Sequence, residues 1–305
     1  MKIIHFCAGL QFWNGMANTA RQFIAEEIAQ GHESFLTNEL ATLSNAKSGD
    51  YDIVYIHGAW LPVLWRAAKH AKRINAKLII RPAGSYDPVR LGYHSWKKKL
   101  VAFFERRMLR RADVLLGTCE AEVKWIKDYV GEGCPKVEIT DLKRFFDLKG
   151  EMGSGKREKG RECGVVDSNN KKLNVLYLGR RHPLKGVKYL EFAVEELNYF
   201  CMSRVPGGED GCIDLRIVSD AKGEELEKVW DWCDVLVLPT LSENFGRVVA
   251  EALERGKCVV TTDGAPAWGD GNDYGGRLMY LKGYRDGNDE ARIKLLRDTL
   301  MLIVG

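Results

Sequence analysis

The sequence predicts a parallel α/β protein built as two domains. Three observations carry that prediction. A length of 305 residues suits two domains of about 150 residues each. Short β-branched runs alternate with helical patterns in both halves, the grammar of a parallel sheet with right-handed crossovers. A glycine- and charge-rich stretch, residues 150–172, interrupts that grammar once. Apolar residues at 45% and charged residues at 29% exclude a mostly disordered chain, and a net charge of only +4 gives no general nucleic-acid signal.

In the first half, Lys2–Cys7 is a strand and residues 8–15 a loop. A helix follows over Asn18–Gln30, with Phe23, Ile24 and Ile28 on one face and Gly31 as its stop. Further strands are expected at Ser34–Leu36, Asp52–Ile56, Lys77–Arg81 and Asp113–Gly117. Residues 150–172 read as a linker or exposed loop, dividing a domain at 1–149 from one at 173–305. In the second half, strands at Leu173–Leu178, Asp214–Val218, Asp234–Leu238 and Cys258–Thr262 alternate with helices at Val187–Phe200, Glu224–Trp232 and Arg247–Arg255. Val175–Leu178 and Val235–Leu238 are apolar on both faces, as a helix-covered sheet requires. The expected architecture is two Rossmann-like domains facing a cleft, with ligands at the carboxyl ends of the strands.

Eight cysteines are scattered without any Cys-x-x-Cys pair, so neither structural zinc nor a disulfide framework is expected. No apolar run approaches the ~18 residues of a spanning helix, and the N-terminus lacks the pattern of a secretory leader. The expected location is the cytoplasm. Asp50-Tyr51-Asp52 precedes its strand and reads as a turn, as do the Asp-Gly-Asn-Asp runs at Asp270 and Asp286; no metal site is assigned. His5, His32, His70 and His94 receive no role.

Two loops carry candidate chemistry. Gly179-Arg180-Arg181-His182-Pro183-Leu184-Lys185-Gly186 joins a strand to a helix. Its cations and the free amides of a helix N-terminus suit a phosphate or diphosphate, though an exposed basic turn would look the same. The second loop runs from Pro239 through Glu243, Asn244, Phe245 and Gly246 into a helix carrying Glu251. Glu251 lies about 7 Å along the axis beyond the first turn. A carboxylate there suits vicinal hydroxyls, because it accepts two hydrogen bonds at once.

Together these loops resemble the retaining GT-B glycosyltransferases of the group 1, or family 4, class. The Gly-Arg-x-x-x-x-Lys-Gly signature is matched by Gly179, Arg180, Lys185 and Gly186, and the Glu-x7-Glu signature by Glu243 and Glu251. Asn14-Gly15-Met16-Ala17-Asn18 resembles the family's first glycine loop, Asp52–Gly58 its Asp-Val-Val-x-x-His strand end, and Arg81–Pro88 another loop at the cleft. Departures are Asp141-Leu142-Lys143-Arg144 in place of Asn-Gly-x-Asp, Ser219-Asp220-Ala221 in place of Gly-x-Gly, and a shortened second half.

The resemblance implies retaining transfer of a sugar from a nucleotide-sugar donor to a carbohydrate or lipid-linked acceptor, in cell-surface polysaccharide, lipopolysaccharide or glycolipid assembly. No metal or cofactor is implied. It implies that Arg180 and Lys185 stabilise the leaving diphosphate, Glu251 holds the ribose and Glu243 meets the sugar. His57 would lie near that sugar and Gly15 near the phosphates, with Gly179, Asn244, Phe245 and Gly246 completing the donor site. An epimerase or phosphorylase on the same fold, and a non-catalytic nucleotide-sugar binding protein, are the rival readings.

From Trp96 to Arg111 the chain carries Lys97, Lys98, Lys99, Arg106, Arg107, Arg110 and Arg111 against one acid, Glu105. Trp96, Leu100, Phe103, Phe104 and Met108 interleave at helical spacing. Two readings stay open, a core-packed helix with a solvated basic back and a helix lying on the inner, anionic face of the membrane.

Overall fold

The computed structural model describes residues 1–8, 15–93, 95–148, 172–204 and 211–305. These divide into two units, Met1–Phe145 and Phe146–Gly305. The sequence places the end of the first domain at 149. Phe146, however, already stacks on Phe245 at 5.9 Å between ring centroids, and the Asp147 amide donates to Glu254 Oε1 at 3.3 Å. The expected linker at 150–172 lies, apart from Lys172, outside the described residues.

The first unit runs β1 (Lys2–Cys7), α1 (Gly15–Ala29), β2 (Glu33–Thr37), α2 (Leu40–Asn45), β3 (Ile53–His57), α3 (Pro62–Arg73), β4 (Lys77–Arg81), α4 (Pro88–Gly92), α5 (Ser95–Leu109), β5 (Val114–Gly117), α6 (Glu120–Val130) and β6 (Lys136–Ile139). Its six strands lie in the order β2-β1-β3-β4-β5-β6, all parallel. Ile4, Phe6, Val54, Ile56, Leu78 and Ile80 fill the core on one side of this sheet. In the register His5 faces Tyr55, and His57 faces Cys7 and Arg81.

The second unit runs β7 (Leu173–Leu178), α7 (Val187–Arg204), β8 (Ile213–Val218), α8 (Gly223–Trp232), β9 (Val235–Leu238), α9 (Arg247–Glu254), β10 (Cys258–Thr262), β11 (Leu278–Leu281) and α10 (Asp289–Val304). Its sheet order is β11-β10-β9-β7-β8, again all parallel. Every residue of β9 is buried, as its doubly apolar pattern requires. In each unit the strand order reverses at the first strand, which opens a crevice beyond the carboxyl ends there.

Several elements escape the sequence reading, α6 among them. β6 and β11 have four residues each, too few to display a period. α10 begins at the run read as a turn: Asn288 is its cap, accepting from the Ala291 amide at 2.8 Å, with Asp289 and Glu290 in the first turn. Cys201 and Cys212 form a disulfide, against the expectation from their scatter. The pairing joins the last turn of α7 to the start of β8, which are adjacent in this fold.

The helix at Ser95–Leu109 buries Met108 and Leu109 in the core but leaves its larger apolar residues outside it. Trp96 is 62% exposed, Leu100 72% and Phe103 68%, whereas the acid Glu105 is fully buried. Glu105 accepts from the Trp60 amide (3.1 Å), Trp65 Nε1 (2.6 Å) and the Tyr86 hydroxyl (2.5 Å). Burial pushes its carboxyl above the usual range, and those three hydrogen bonds oppose the shift. A cavity of about 400 Å³ opens between α3 and α5, lined by Pro62, Trp65, Phe103, Phe104 and Met108 and by the cations Arg66, Lys69, Arg107 and Arg111.

Candidate active site

In the second unit both candidate loops leave strands at the reversal point, β7 and β9, so the fold brings them side by side. The Leu184 carbonyl joins them. It accepts from the Leu241 amide at 2.9 Å, from Thr240 Oγ1 at 3.1 Å and from the Ser242 amide at 3.4 Å. Gly186 permits the approach: its φ is +65°, and a Cβ there would collide with the Pro239 carbonyl oxygen. His182 accepts from the Leu184 amide at 3.2 Å and so starts the short turn ending at Lys185.

The packing of these loops sets Lys185 against Glu243, and the two side chains form an ion pair. Neither the basic loop nor the glutamate motif predicts that contact, which lies 58 positions apart in sequence. The other Glu243 oxygen accepts from the Asn244 amide at 2.9 Å, while its own amide donates to the Gly264 carbonyl at 2.7 Å. Glu243 is therefore held from both ends.

Gly246, at φ +67°, turns the chain into α9. Phe245 is buried against Trp268 and Phe146, and Trp268 Nε1 donates to its carbonyl. Phe245 thus anchors the loop through its ring. Glu251 stands one turn along α9 from Arg247, with 3.7 Å between charged groups. Burial pushes the Glu251 carboxyl up, and Arg247 and Arg255 pull it back. Burial also lowers Arg247 from the usual guanidinium range.

Arg180 is exposed, its carbonyl accepting from the Tyr177 hydroxyl at 2.9 Å. Burial, and next the charge of Glu243, push that hydroxyl's pKa upward. Arg181 is committed elsewhere, to Glu191 at 2.8 Å. The sequence reading missed Tyr284, which is fully buried next to Gly186, its hydroxyl without a hydrogen-bond partner among the described residues. Its only sequence signal is an aromatic between glycines.

In the first unit Gly15 is the first residue of α1, and residues 9–14 of its loop lie outside the described residues. His57 is the last residue of β3 and only 1% exposed. Its Nε2 lies 2.9 Å from His5 Nδ1, and His5 Nε2 lies 2.9 Å from Glu27 Oε2, to which Ser34 Oγ donates at 2.6 Å. Burial, followed by His5 and Arg81, holds His57 well below the ordinary imidazole value. Beyond β4 and β5, buried Glu122 accepts from the Gly84 amide at 2.5 Å, the Thr118 amide at 2.8 Å and Thr118 Oγ1 at 2.7 Å. The Arg81–Pro88 loop is thereby tied to the start of α6.

Residues 29–140 match the model of a glycosyl transferase 4-like domain, and residues 172–279 that of the glycosyl transferases group 1. The chain thus joins a glycosyl transferase 4-like domain to a glycosyl transferases group 1 domain. It is similar to an uncharacterized 41.2 kDa protein in the cps region of Klebsiella pneumoniae, 24% identical over 245 residues. That match takes in 73% of this chain and 63% of the relative, so the chain spans less than two thirds of the curated relative's length. Among solved structures, sucrose-phosphate synthase from Thermosynechococcus elongatus aligns at a TM-score of 0.64 and 15% identity, over 99% of this chain and 90% of that one. Anabaena HepE in complex with UDP-glucose aligns at 0.56 and 15%, over 100% and 92%. These likenesses give the GT-B fold, with its two parallel-sheet units.

Proposed function

We propose that this protein transfers a sugar from a nucleotide-sugar donor to an acceptor hydroxyl, with retention and without a metal ion. The observation that carries the reading is the Lys185–Glu243 pair, made by two strand-to-helix loops sharing the Leu184 carbonyl. Charge grows on the diphosphate as the glycosidic bond breaks, and Arg180 and Lys185 are the cations assigned to meet it. Glu243 takes the sugar and Glu251 the ribose, with Gly179, Asn244 and Gly246 supplying backbone at close range. Phe245 keeps that backbone in place. Within the first unit, Gly15 is read as a phosphate contact and His57 as a sugar contact. The HepE complexes with UDP and with UDP-glucose support a nucleoside diphosphate sugar as donor class, and the cps-region relative supports surface polysaccharide assembly.

Incubation with a panel of nucleotide sugars tests this reading. Diphosphate release that depends on an added acceptor is expected. Sugar isomerisation would point to an epimerase instead, transfer to inorganic phosphate to a phosphorylase, and binding without turnover to a passive binding protein.

We further propose that α5 rests on the inner, anionic face of the membrane, where a lipid-linked acceptor would reside. Trp96, Leu100, Phe103 and Phe104 are exposed beside Lys97, Lys99, Arg106, Arg107 and Arg110. Among the described residues no helix is long and apolar enough to cross a membrane. Sedimentation with anionic vesicles should be strong at low salt and fade as salt rises. Failure to bind such vesicles at low salt would leave α5 without this role.

A further inference from the structure

The first unit holds a line of three titratable side chains to which the sequence assigns almost nothing. Glu27 on α1, His5 on β1 and His57 on β3 touch in succession at 2.9 Å and 2.9 Å. Parallel strand register makes the line possible. His5 faces Tyr55 and Cys7 faces His57, so the two imidazoles are diagonal neighbours on one sheet face. The His5 ring stacks on Tyr55 at 4.4 Å with planes 5° apart, which fixes its orientation. At the far end His57 Nδ1 is buried and has no hydrogen-bond partner among the described residues.

The polarity of this line follows from its first member. An ionised carboxylate only accepts, so His5 Nε2 must carry the proton that Glu27 receives. A neutral His5 then offers Nδ1 as an acceptor, and His57 must donate from Nε2. That leaves a bare lone pair at His57 Nδ1. The alternative, a charged His5, would reverse the last bond and leave an unpartnered N–H at the same buried atom. Orphaned buried donors are the rarer case in folded proteins. The depressed basicity of His57 agrees with a neutral ring.

We propose that Glu27 and His5 are positioning residues that hold His57 in its Nε2–H tautomer, so that Nδ1 accepts a hydrogen bond from a ligand hydroxyl. The ligand group is thereby a hydrogen-bond donor, such as a sugar hydroxyl, rather than an ionised phosphate, which cannot donate. The inference rests on the reading that His57 meets the sugar, but the tautomer itself does not depend on activity.

Nitrogen NMR of the full chain with labelled histidine tests it. In the wild type, His57 is expected to show a protonated Nε2 and a bare Nδ1 at neutral pH. His5→Phe keeps an aromatic ring against Tyr55 but removes both bonds, and should leave His57 a mixture of tautomers. His5→Gln is the rescue: its amide can donate to Glu27 and accept from His57, restoring the single tautomer. With an active donor and acceptor pair, His5→Phe should lower kcat about tenfold while nucleoside diphosphate affinity stays unchanged, and His5→Gln should recover most of the loss. A wild-type His57 protonated at Nδ1, or a tautomer unaltered in His5→Phe, would overturn the proposal. Absence of sugar transfer with the NMR pattern intact would count against the transferase reading alone.

Discussion

The two units share one strand order and use it in opposite ways. Reading outward from the first strand of each, β2-β1-β3-β4-β5 in one unit repeats as β8-β7-β9-β10-β11 in the other. At the reversal point of the second unit the titratable groups stand in loops: Lys185 and Glu243 are partly exposed, and Arg180 is exposed. At the same point of the first unit they stand on the strands and are buried, as His5, His57 and Arg81 are. A loop site can rearrange its ion pair around an incoming diphosphate. A strand site is fixed before any ligand arrives, and its protonation is set by neighbours on the sheet. One topology thus carries its titratable groups in loops in one unit and buried on strands in the other.

The largest expected effect tests whether the two loops of the second unit act as one body. Gly186→Ala forces a side chain into a left-handed backbone and against the Pro239 carbonyl, and should cost about 3 kcal/mol in a urea titration. Gly58→Ala is the counterpart beyond β3. Its φ is +110°, but the nearest atom, Met16 Sδ, lies at 3.4 Å, an ordinary contact. Its cost should be about 1–2 kcal/mol, from backbone strain alone. Equal losses would mean that the contact through Gly186 adds nothing.

This contrast also decides what the sequence could show. The strands β4, β7 and β10 follow from β-branched runs bounded by turns, and the loop pair follows from glycine, cation and carboxylate spacing. Loop chemistry is legible because charged residues between periodic segments have no packing reason to be there. Strand chemistry is not, because a histidine in an apolar run looks like any core residue. His5 becomes informative only when the register sets it diagonal to His57 and α1 brings Glu27 to its other nitrogen. Likewise the Lys185–Glu243 contact needs the tertiary bond at Leu184, which no local pattern encodes.

Next in size is the charge on the basic loop. Lys185→Ala should lower turnover at least about tenfold, since a charge-assisted contact to a developing anion contributes about 1.5–3 kcal/mol. Turnover undiminished in a folded variant would exclude this loop as the diphosphate cradle.

The two glutamates sharpen the picture within the second unit. Glu251→Ala should weaken donor and free nucleoside diphosphate alike, because the ribose does not change during reaction. Glu243→Gln should slow the chemical step and leave diphosphate affinity nearly unaltered. Calorimetry with the diphosphate and kinetics with the donor separate the two. Wild-type diphosphate affinity in Glu251→Ala would make the eight-residue spacing a coincidence.

The smallest effect is a pH dependence of opposite sign in the two units. His57 is held well below its ordinary value of 6.5, so the native chain refuses a proton that the unfolded chain accepts. Stability is intact above pH 6.5 and declines as pH falls through 6.5 toward the depressed folded value, by at most about 1.4 kcal/mol per pH unit. Glu251 is shifted the other way, above its ordinary 4.5, so the native chain takes up its proton first and gains stability as pH falls through the raised value toward 4.5. Thermal unfolding of the wild type against His57→Phe should therefore show the wild type losing ground between pH 7.5 and 5.5. Against Glu251→Gln, the wild type should gain ground on further acidification. Parallel profiles for wild type and His57→Phe would mean that the first unit tolerates a charged imidazole, and the contrast between buried strand groups and loop groups would lose its electrostatic part.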